Sequence, residues 1–440
     1  MRRKIFACLL ILGMTAGVLS GCSSLWKKSS AQPINGKKSI ENYEGTKELE
    51  ELDPVFLEGQ RSFAWQIFDA LEEGENIFLS PYSISTALSM LYNGADLETR
   101  EELAKLLGYD LLDGYTANYS EAANHYVNAN SKLLKELMEA ADSKVKLSVA
   151  NSIWLKEKEE FSEQIETALL APVRYYYAGD IFEVDFLKEK TLDEVNQWVS
   201  EKTKGMIDPF LDQFSDPGLL RVFLANAVYF NGEWSLPFEP KDTRPVPFYG
   251  EIRKTNTDMM HLYKEKFRYF SEGGIQGIEL PYGNESIVMN ILIPVDKEQS
   301  IRKLYKSLTP EETESFLQKL DQAEKTEIGR LGVPKFELEY GLVDLKDALI
   351  KLGMTKAFYP GADFELIGKD LFVSRVVHKA VIKVEEWGTE ASAATGIEMK
   401  VTAALPEEQS LNFIADVPFL FFIRDKATDS ILFMGSMTQP

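Results

Sequence analysis

The side chains best able to do chemistry are few and scattered. The chain has three histidines, His125, His261 and His378, and two cysteines, Cys8 and Cys22. An imidazole works as a metal ligand or base only with partners at a fixed spacing, and none of the three sits in an H-E-x-x-H pattern or beside a cysteine. No G-x-S-x-G elbow presents a nucleophilic serine, and no G-x-x-x-x-G-K-[ST] loop cradles a phosphate. Asp and Glu total 69, so a glycoside-cleaving carboxylate pair has many candidates and abundance singles out none. These residues give an enzyme reading no positive support and supply no ligand set for a metal or cofactor.

A different stretch carries a pattern. Residues 385–396 read EEWGTEASAATG, a run of small residues that is poor strand material by composition and opens on a glycine that a helix interior would not favour. Laid out as a strand, it nevertheless has two distinct faces. Thr389, Ala391, Ala393, Thr395, Ile397, Met399 and Val401 fall on one side, and Glu390, Glu398 and Lys400 on the other. One face is free of charge and fit for a core, while the other carries three charges fit for water.

Many elements must hold such a strand. Residues 57–73 place Phe63, Ile67 and Leu71 at helical spacing, with Trp65 and Phe68 widening the face. NIFLSPYSISTALSMLYNG (76–94) predicts a short strand, then a helix starting at Ser80-Pro81, a cap followed by a first-turn proline. KLSVANSIWL (146–155) and LLRVFLANAVYF (219–230) read as buried strands, and residues 191–205 as an amphipathic helix stopped by Gly205. Residues 286–294, 327–341 and 419–437 read as strands and hairpins, the last turning at DKATDS, and 342–358 as a helix ending near Gly353. No Pro/Gly/Ser-rich linker interrupts residues 54–440, although their length alone would allow two or more domains. The lack of a βαβ rhythm makes the class α+β with mixed or antiparallel sheets.

The N-terminus implies export. MRRK is followed by an apolar stretch over 5–18 and then by LSGC, a basic, apolar and small-residue order typical of a secretory signal. Leu19, Ser20 and Gly21 ahead of Cys22 resemble a bacterial lipobox. That implies a lipoprotein signal peptide over 1–21, a lipidated Cys22, and a polar tether over 22–53. The domain would then be anchored to the bacterial cell membrane or outer membrane, outside the cytoplasm. Ser23 is not the Asp that would argue for inner-membrane retention. Cys8 leaves with the signal, so the mature domain can form no internal disulfide despite a setting that permits one. A formal charge of -21 argues against nucleic acid as a partner.

At the level of whole motifs the chain resembles the serpins, over nearly all of residues 55–440. The resemblance runs through NIFLSPYSISTALSMLYNGA (76–95), LANAVYFNGEW (224–234), GADFELIG (361–368), HKAVIKVEEWGTEASAAT (378–395) and DVPFLFFIRDKATDSILFMG (416–435), in family order. Glu365 departs from the serine usual in the third motif. The resemblance implies a single domain of three β-sheets and eight to nine helices with an exposed reactive-centre loop at about 386–410. It also implies a monomer that acts as an irreversible suicide substrate. A serine protease, or some cysteine proteases, attacks the loop and forms an acyl-enzyme. The loop then enters the central sheet as a new strand and carries the covalently held protease away.

Roles follow residue by residue from that resemblance. The hinge is Glu386, Gly388, Thr389, Glu390, Ala391, Ser392, Ala393, Ala394 and Thr395, and small residues there ease entry between packed strands. Trp387 is larger than the pattern leads one to expect. The reactive bond is Thr402–Ala403, with Met399 and Lys400 as nearby alternatives; a threonine before the cut suits the shallow pocket of elastase- or subtilisin-like enzymes. Ser80, Ser83, Asn226 and His378 match a buried polar shutter, and Trp234, Lys335 and Glu386 a breach at the top of the sheet. The alternative function is a non-inhibitory serpin acting as a surface binding protein.

Overall fold

The computed structural model describes residues 31–34, 49–71, 76–157, 161–389 and 410–440. Nine α-helices lie among them: α1 (Pro54–Leu71), α2 (Pro81–Tyr92), α3 (Leu97–Leu107), α4 (Glu121–Ala141), α5 (Ala171–Tyr177), α6 (Glu189–Lys202), α7 (Ile301–Lys306), α8 (Pro310–Gln322) and α9 (Lys346–Lys351). The strands are β1 (Ile77–Leu79), β2 (Val145–Lys156), β3 (Asp180–Val184), β4 (Val222–Glu233), β5 (Arg244–Tyr249), β6 (Lys254–Glu272), β7 (Ile275–Pro281) and β8 (Ile287–Pro294). They continue with β9 (Lys325–Pro334), β10 (Phe336–Asp344), β11 (Val373–Glu385), β12 (Gly388–Thr389), β13 (Asn412–Ile414), β14 (Phe419–Asp425) and β15 (Ser430–Met437).

Helix α2 shows why a serine-rich segment can run through the interior. Pro81 sits in its first turn, and the Ser80 hydroxyl oxygen accepts from the Ser83 N–H at 3.2 Å. Every residue of the helix but Thr86 is buried. Its hydroxyls find partners inside the fold: Thr86 donates to the Tyr82 carbonyl and Ser89 to that of Ser85, each at 2.7 Å, and the Ser83 hydroxyl accepts from the Asn226 amide at 2.6 Å. The helix can therefore lie beneath a sheet without stranding polar groups.

That sheet is the centre of the molecule. Its order is β10-β11-β12-β4-β2-β3. Strand β4 runs antiparallel to β2 from Val145↔Gly232 to Leu155↔Val222 and parallel to β11 from Val373↔Val222 to Val381↔Tyr229. Its apolar sequence is buried on both faces, as a strand covered on both sides requires. One face meets a smaller core that includes Trp154, Phe182, Trp198 and Phe223; the other meets the main core, to which α1, α2 and the second sheet contribute.

The second ladder joins nine strands. Where the resemblance implies three sheets, hydrogen bonding among the described residues gives two. The long β6 is responsible, because it pairs with β5, β7 and β9 along one continuous strand. The helix expected over 342–358 is also shorter. Val343 and Asp344 pair with His378 and Val377 at the end of β10, and α9 begins only at Lys346. A sheet partner thus overrides helical spacing, which is a weak local preference. The described pieces of the expected tether lie against the body: the Ile34 N–H donates to the Ile181 carbonyl of β3 at 2.8 Å, and Leu49 and Leu52 pack on the main core.

Candidate functional site

The parallel ladder between β4 and β11 stops at Tyr229 and Val381. Above that point the two strands part, and β12 sits between them. Thr389 and Gly388 pair with Gly232 and Glu233 of β4 on one side, and with Val384 and Glu385 of β11 on the other. The close approach demands glycine: a Cβ on Gly388 would stand 2.0 Å from the Gly232 carbonyl oxygen. Gly232 is constrained in turn, since a Cβ there would meet the Tyr282 ring at 2.9 Å.

Thr389 is fully buried, and its hydroxyl lies 2.7 Å from that of Tyr282. Burial pushes the Tyr282 hydroxyl pKa far up, so the group remains protonated and able to donate. Residues 386–389, counted with an exposed loop from the resemblance, therefore include buried Glu386, Gly388 and Thr389. The rest of that region, with Glu390, Ala391, Ser392, Ala393, Ala394, Thr395, Met399, Lys400, Thr402 and Ala403, lies outside the described residues, as does Cys22. The chain re-enters the described structure at Ser410 and joins β9 through β13.

Three consecutive carbonyls hold the entrance. That of Glu385 accepts from the Trp234 indole N–H at 3.0 Å, that of Glu386 from the Phe238 N–H at 2.8 Å, and that of Trp387 from the Trp234 N–H at 3.0 Å. The Trp234 ring stacks on Tyr282 with centroids 4.3 Å apart. The Trp387 side chain remains partly exposed rather than filling the sheet. Lys335, in the step between β9 and β10, places its ammonium 2.9 Å from the Glu386 carboxylate, which also accepts from the Thr243 hydroxyl at 2.8 Å. Burial acts to raise the Glu386 pKa, but hydrogen bonds from Lys335, its own N–H and Thr243 outweigh it and hold the carboxyl below its usual range.

A Lys335→Met chain is expected to lose about 1–3 kcal/mol of stability, because it leaves a mostly buried carboxylate without its cation. Adding Glu386→Gln should recover part of that loss. Denaturation midpoints of both single variants and the double variant measure the coupling; additive losses would show that the two groups act independently.

Below the entrance, four sequence-marked residues meet in one buried cluster. The Ser80 N–H donates to His378 Nε2 at 3.2 Å, which leaves His378 Nδ1 to carry the proton and donate to Asn226 Oδ1. Asn226 Nδ2 donates to the Ser83 hydroxyl at 2.6 Å and the Ser83 carbonyl at 2.9 Å, and also to Asn151 Oδ1. Helix α2 is thus bonded through Ser80 to β11 and through Ser83 to β4, the two strands that must separate for a further strand to enter.

Burial drives the His378 pKa down to about 3. An unfolded histidine titrates near 6.5, so as pH falls from 6.5 towards 3 the unfolded chain takes up a proton that the native chain refuses. Native stability is expected to fall over that window, by about 2 kcal/mol at pH 5 from this group alone. Unfolding midpoints from pH 7 to 4 should show a shallower decline for His378→Gln; an equal decline in both would remove His378 as its source.

The other two histidines lie apart from this cluster: His125 Nδ1 is 2.9 Å from the Tyr176 hydroxyl, and His261 Nδ1 is 3.1 Å from the Leu331 carbonyl oxygen. Sequence reading passed over Tyr282, Gly232, Thr243 and Asn151. Only Asn151 carried a usable signal, as an amide inside an otherwise apolar strand must find buried partners.

The arrangement is a sheet with its seam parted at one end and a strand already started in it. A family model described as Serpin (serine protease inhibitor) matches residues 58–440. An uncharacterized serpin-like protein of Thermococcus kodakarensis is 33% identical over 450 residues, covering 100% of this chain and 99% of that protein. The leukocyte elastase inhibitor of Bos taurus is 33% identical over 392 residues, covering 86% of this chain and 97% of that protein. Among solved structures, the thermophilic serpin tengpin in its native state matches with a TM-score of 0.78 and 30% identity, covering 93% of this chain and 100% of that one.

Proposed function

The chain belongs to the serpin family, and from that membership we propose an irreversible inhibitor of elastase- or subtilisin-like serine proteases, reaching some cysteine proteases as well. Its chemistry is that of an inhibitor rather than a catalyst. The observation that carries the reading is the position of Gly388 and Thr389, hydrogen-bonded between β4 and β11 at the open end of their seam. The uncharged face from Thr389 to Val401 continues in the same register of alternation, as an inserting strand requires.

The target attacks the Thr402–Ala403 bond, and the loop enters the sheet faster than the acyl-enzyme is hydrolysed. Thr402 offers no cation to a carboxylate-lined pocket and fits a shallow one. Kinship with proteins named as leukocyte elastase inhibitors supports the same preference. The inhibitor acts as a monomer outside the cytoplasm, held to the bilayer by lipid on Cys22. Support for the anchor comes from the order of residues 1–22 alone.

Incubation with elastase-, subtilisin- and trypsin-like proteases, followed by a denaturing gel and the mass of the released C-terminal peptide, tests the proposal. A denaturant-stable covalent band with a peptide beginning at Ala403 is the expected result. Complete cleavage with no such band across the panel would overturn it. Loss of labelling by a palmitate analogue in Cys22→Ser tests the anchor separately.

A further inference from the structure

The central sheet has two ends, and its seam is parted at only one of them. Strand β12 pairs with Gly232 and Glu233 at the end of β4, whereas Val222 begins β4 eleven residues earlier. At about 3.3 Å per residue, the two ends stand about 36 Å apart. At the far end β2 closes at Lys156 beside Val184 of β3, and β11 opens at Val373 beside Val222. Leu187 follows β3 there and Leu219 precedes β4; they are 71% and 67% exposed. The turns that carry them adjoin, since a Cβ on Gly218 would lie 3.9 Å from the Leu187 side chain. Their sequence neighbours Phe186 and Leu220 are buried in the smaller core, so each leucine is the outward step of a fixed turn.

The N-terminal segment meets the body near this same end. The Ile34 N–H donates to the Ile181 carbonyl, and Ile181 is level with Ile153 of β2 and hence with Leu224 of β4. Leu224 is two residues from Val222 and nine from Glu233. Ala31 packs on the smaller core to which Phe186 and Leu220 belong. Cys22 lies nine positions before Ala31, a reach of at most about 32 Å. A lipid on Cys22 therefore keeps a bilayer within that distance of Ala31, and the sheet end that bears Leu187 and Leu219 is the nearer one. Charge does not oppose the approach. On a chain of formal charge -21, residues 156–157, 185–190, 216–221 and 369–372 around this end carry five cations and five carboxylates. That local balance removes the repulsion that the acidic chain as a whole would meet at an anionic leaflet.

We infer that this end of the domain rests on the bilayer, with Leu187 and Leu219 in the interfacial layer, and that a trapped protease lifts it off. The first half rests on the anchor reading above and the second on the insertion reading. Two leucines alone make a weak membrane contact. An anchored chain meets the bilayer at high effective concentration, however, so a weak contact suffices to set its orientation. Docked in this way, the domain turns the parted end of the seam, from which the reactive loop departs, towards solvent and an incoming protease. Insertion then reverses the geometry. Thr389 pairs with Gly232, so a strand continuing antiparallel to β4 would bring residue 399 level with Val222 and Thr402 three residues beyond it. A protease held through Thr402 arrives at the end that touches the bilayer, and the two cannot occupy the same surface.

The test couples the chain from Cys22 onward, through that thiol, to a maleimide lipid in phosphatidylcholine–phosphatidylglycerol vesicles, so it does not depend on whether the cell lipidates Cys22. Brominated phosphatidylcholine in the vesicles quenches a tryptophan that touches the bilayer, and the unsubstituted chain supplies the background. Leu187→Trp and Leu219→Trp should each be quenched at least about twofold more than Ile252→Trp. Ile252 is 80% exposed in the turn between β5 and β6, a strand pair that starts beside the entrance, where Thr243 bonds Glu386. Adding Leu187→Glu to Leu219→Trp should remove most of the difference without touching the core. Equal quenching at all three positions, or none at 187 and 219, overturns the docking. A denaturant-stable complex with protease should lose the quenching at 187, and a complex that keeps it overturns the lifting. Cleavage that yields no such complex would instead show that the insertion reading had failed, and quenching of the intact chain would still decide the docking. Failure of palmitate labelling in cells would sink the anchor reading by a separate route.

Discussion

A Thr389→Arg chain is expected to be cut by its target protease without holding it. Thr389 is the first residue of the uncharged face, fully buried between β4 and β11 and in contact with Tyr282. A guanidinium there must either leave the sheet or lie in it unpaired, and an unpaired buried charge costs several kcal/mol. The cost falls on loop entry rather than on attack at Thr402–Ala403. Trapping is a race between entry and hydrolysis of the acyl-enzyme, and each 1.36 kcal/mol added to one barrier shifts the outcome about tenfold. The fraction of protease held in a denaturant-stable complex should therefore fall at least about tenfold while loop cleavage proceeds at a similar rate. Glu390→Arg is the matched control, because alternation puts position 390 on the opposite face, and it should trap normally. Equal trapping by Thr389→Arg and the native chain would mean that Thr389 does not lead insertion.

Cleavage of the loop in the native chain should raise the melting temperature. In the intact chain β4 and β11 pair directly only up to Tyr229 and Val381, and β12 supplies two residues of the strand that could lie between them. The distal end of the loop is tied to β9 by β13, so full insertion requires either that the connection be cut or that β13 leave β9. The added strand would then pair with β4 and β11 along its length and bury its uncharged face. At 2–4 °C per kcal/mol for mid-sized domains, a gain of about 10 °C or more is expected. On the insertion reading, the intact form persists by a high barrier to insertion rather than by being the more stable state. Scanning calorimetry of intact and loop-cleaved protein measures the difference directly. Unchanged melting after clean cleavage would show that the loop does not insert, and cleaved Thr389→Arg should gain less than the cleaved native chain.

The fold was legible where the physics is local. Ser80-Pro81 announced α2 because a cap and a first-turn proline act within one turn, and the hairpin turning at 425–430 stood out between two apolar runs. Asp96, Ser120 and Thr309 mark the starts of α3, α4 and α8 with the same kind of capping contact, a usable signal left unread. The end of β10 was misread as helix because the pairing of Val343 with His378 joins residues far apart in sequence.

The sequence by itself determined the two-faced character of residues 389–401, the glycine at 388 and the polar residues of the cluster below. These are properties of residue type and of an alternation of two. Only the tertiary structure decided that the seam is already parted and that Thr389 lies inside it. It alone brings Tyr282 to Thr389 across 107 positions, and Asn226 to Ser83 across 143. It also left the part of β2 before Ser152 paired on its β4 side alone, because strand lengths across a sheet are matched or mismatched only when the strands are side by side. Periodicity says which face a side chain takes, and packing says what that face meets.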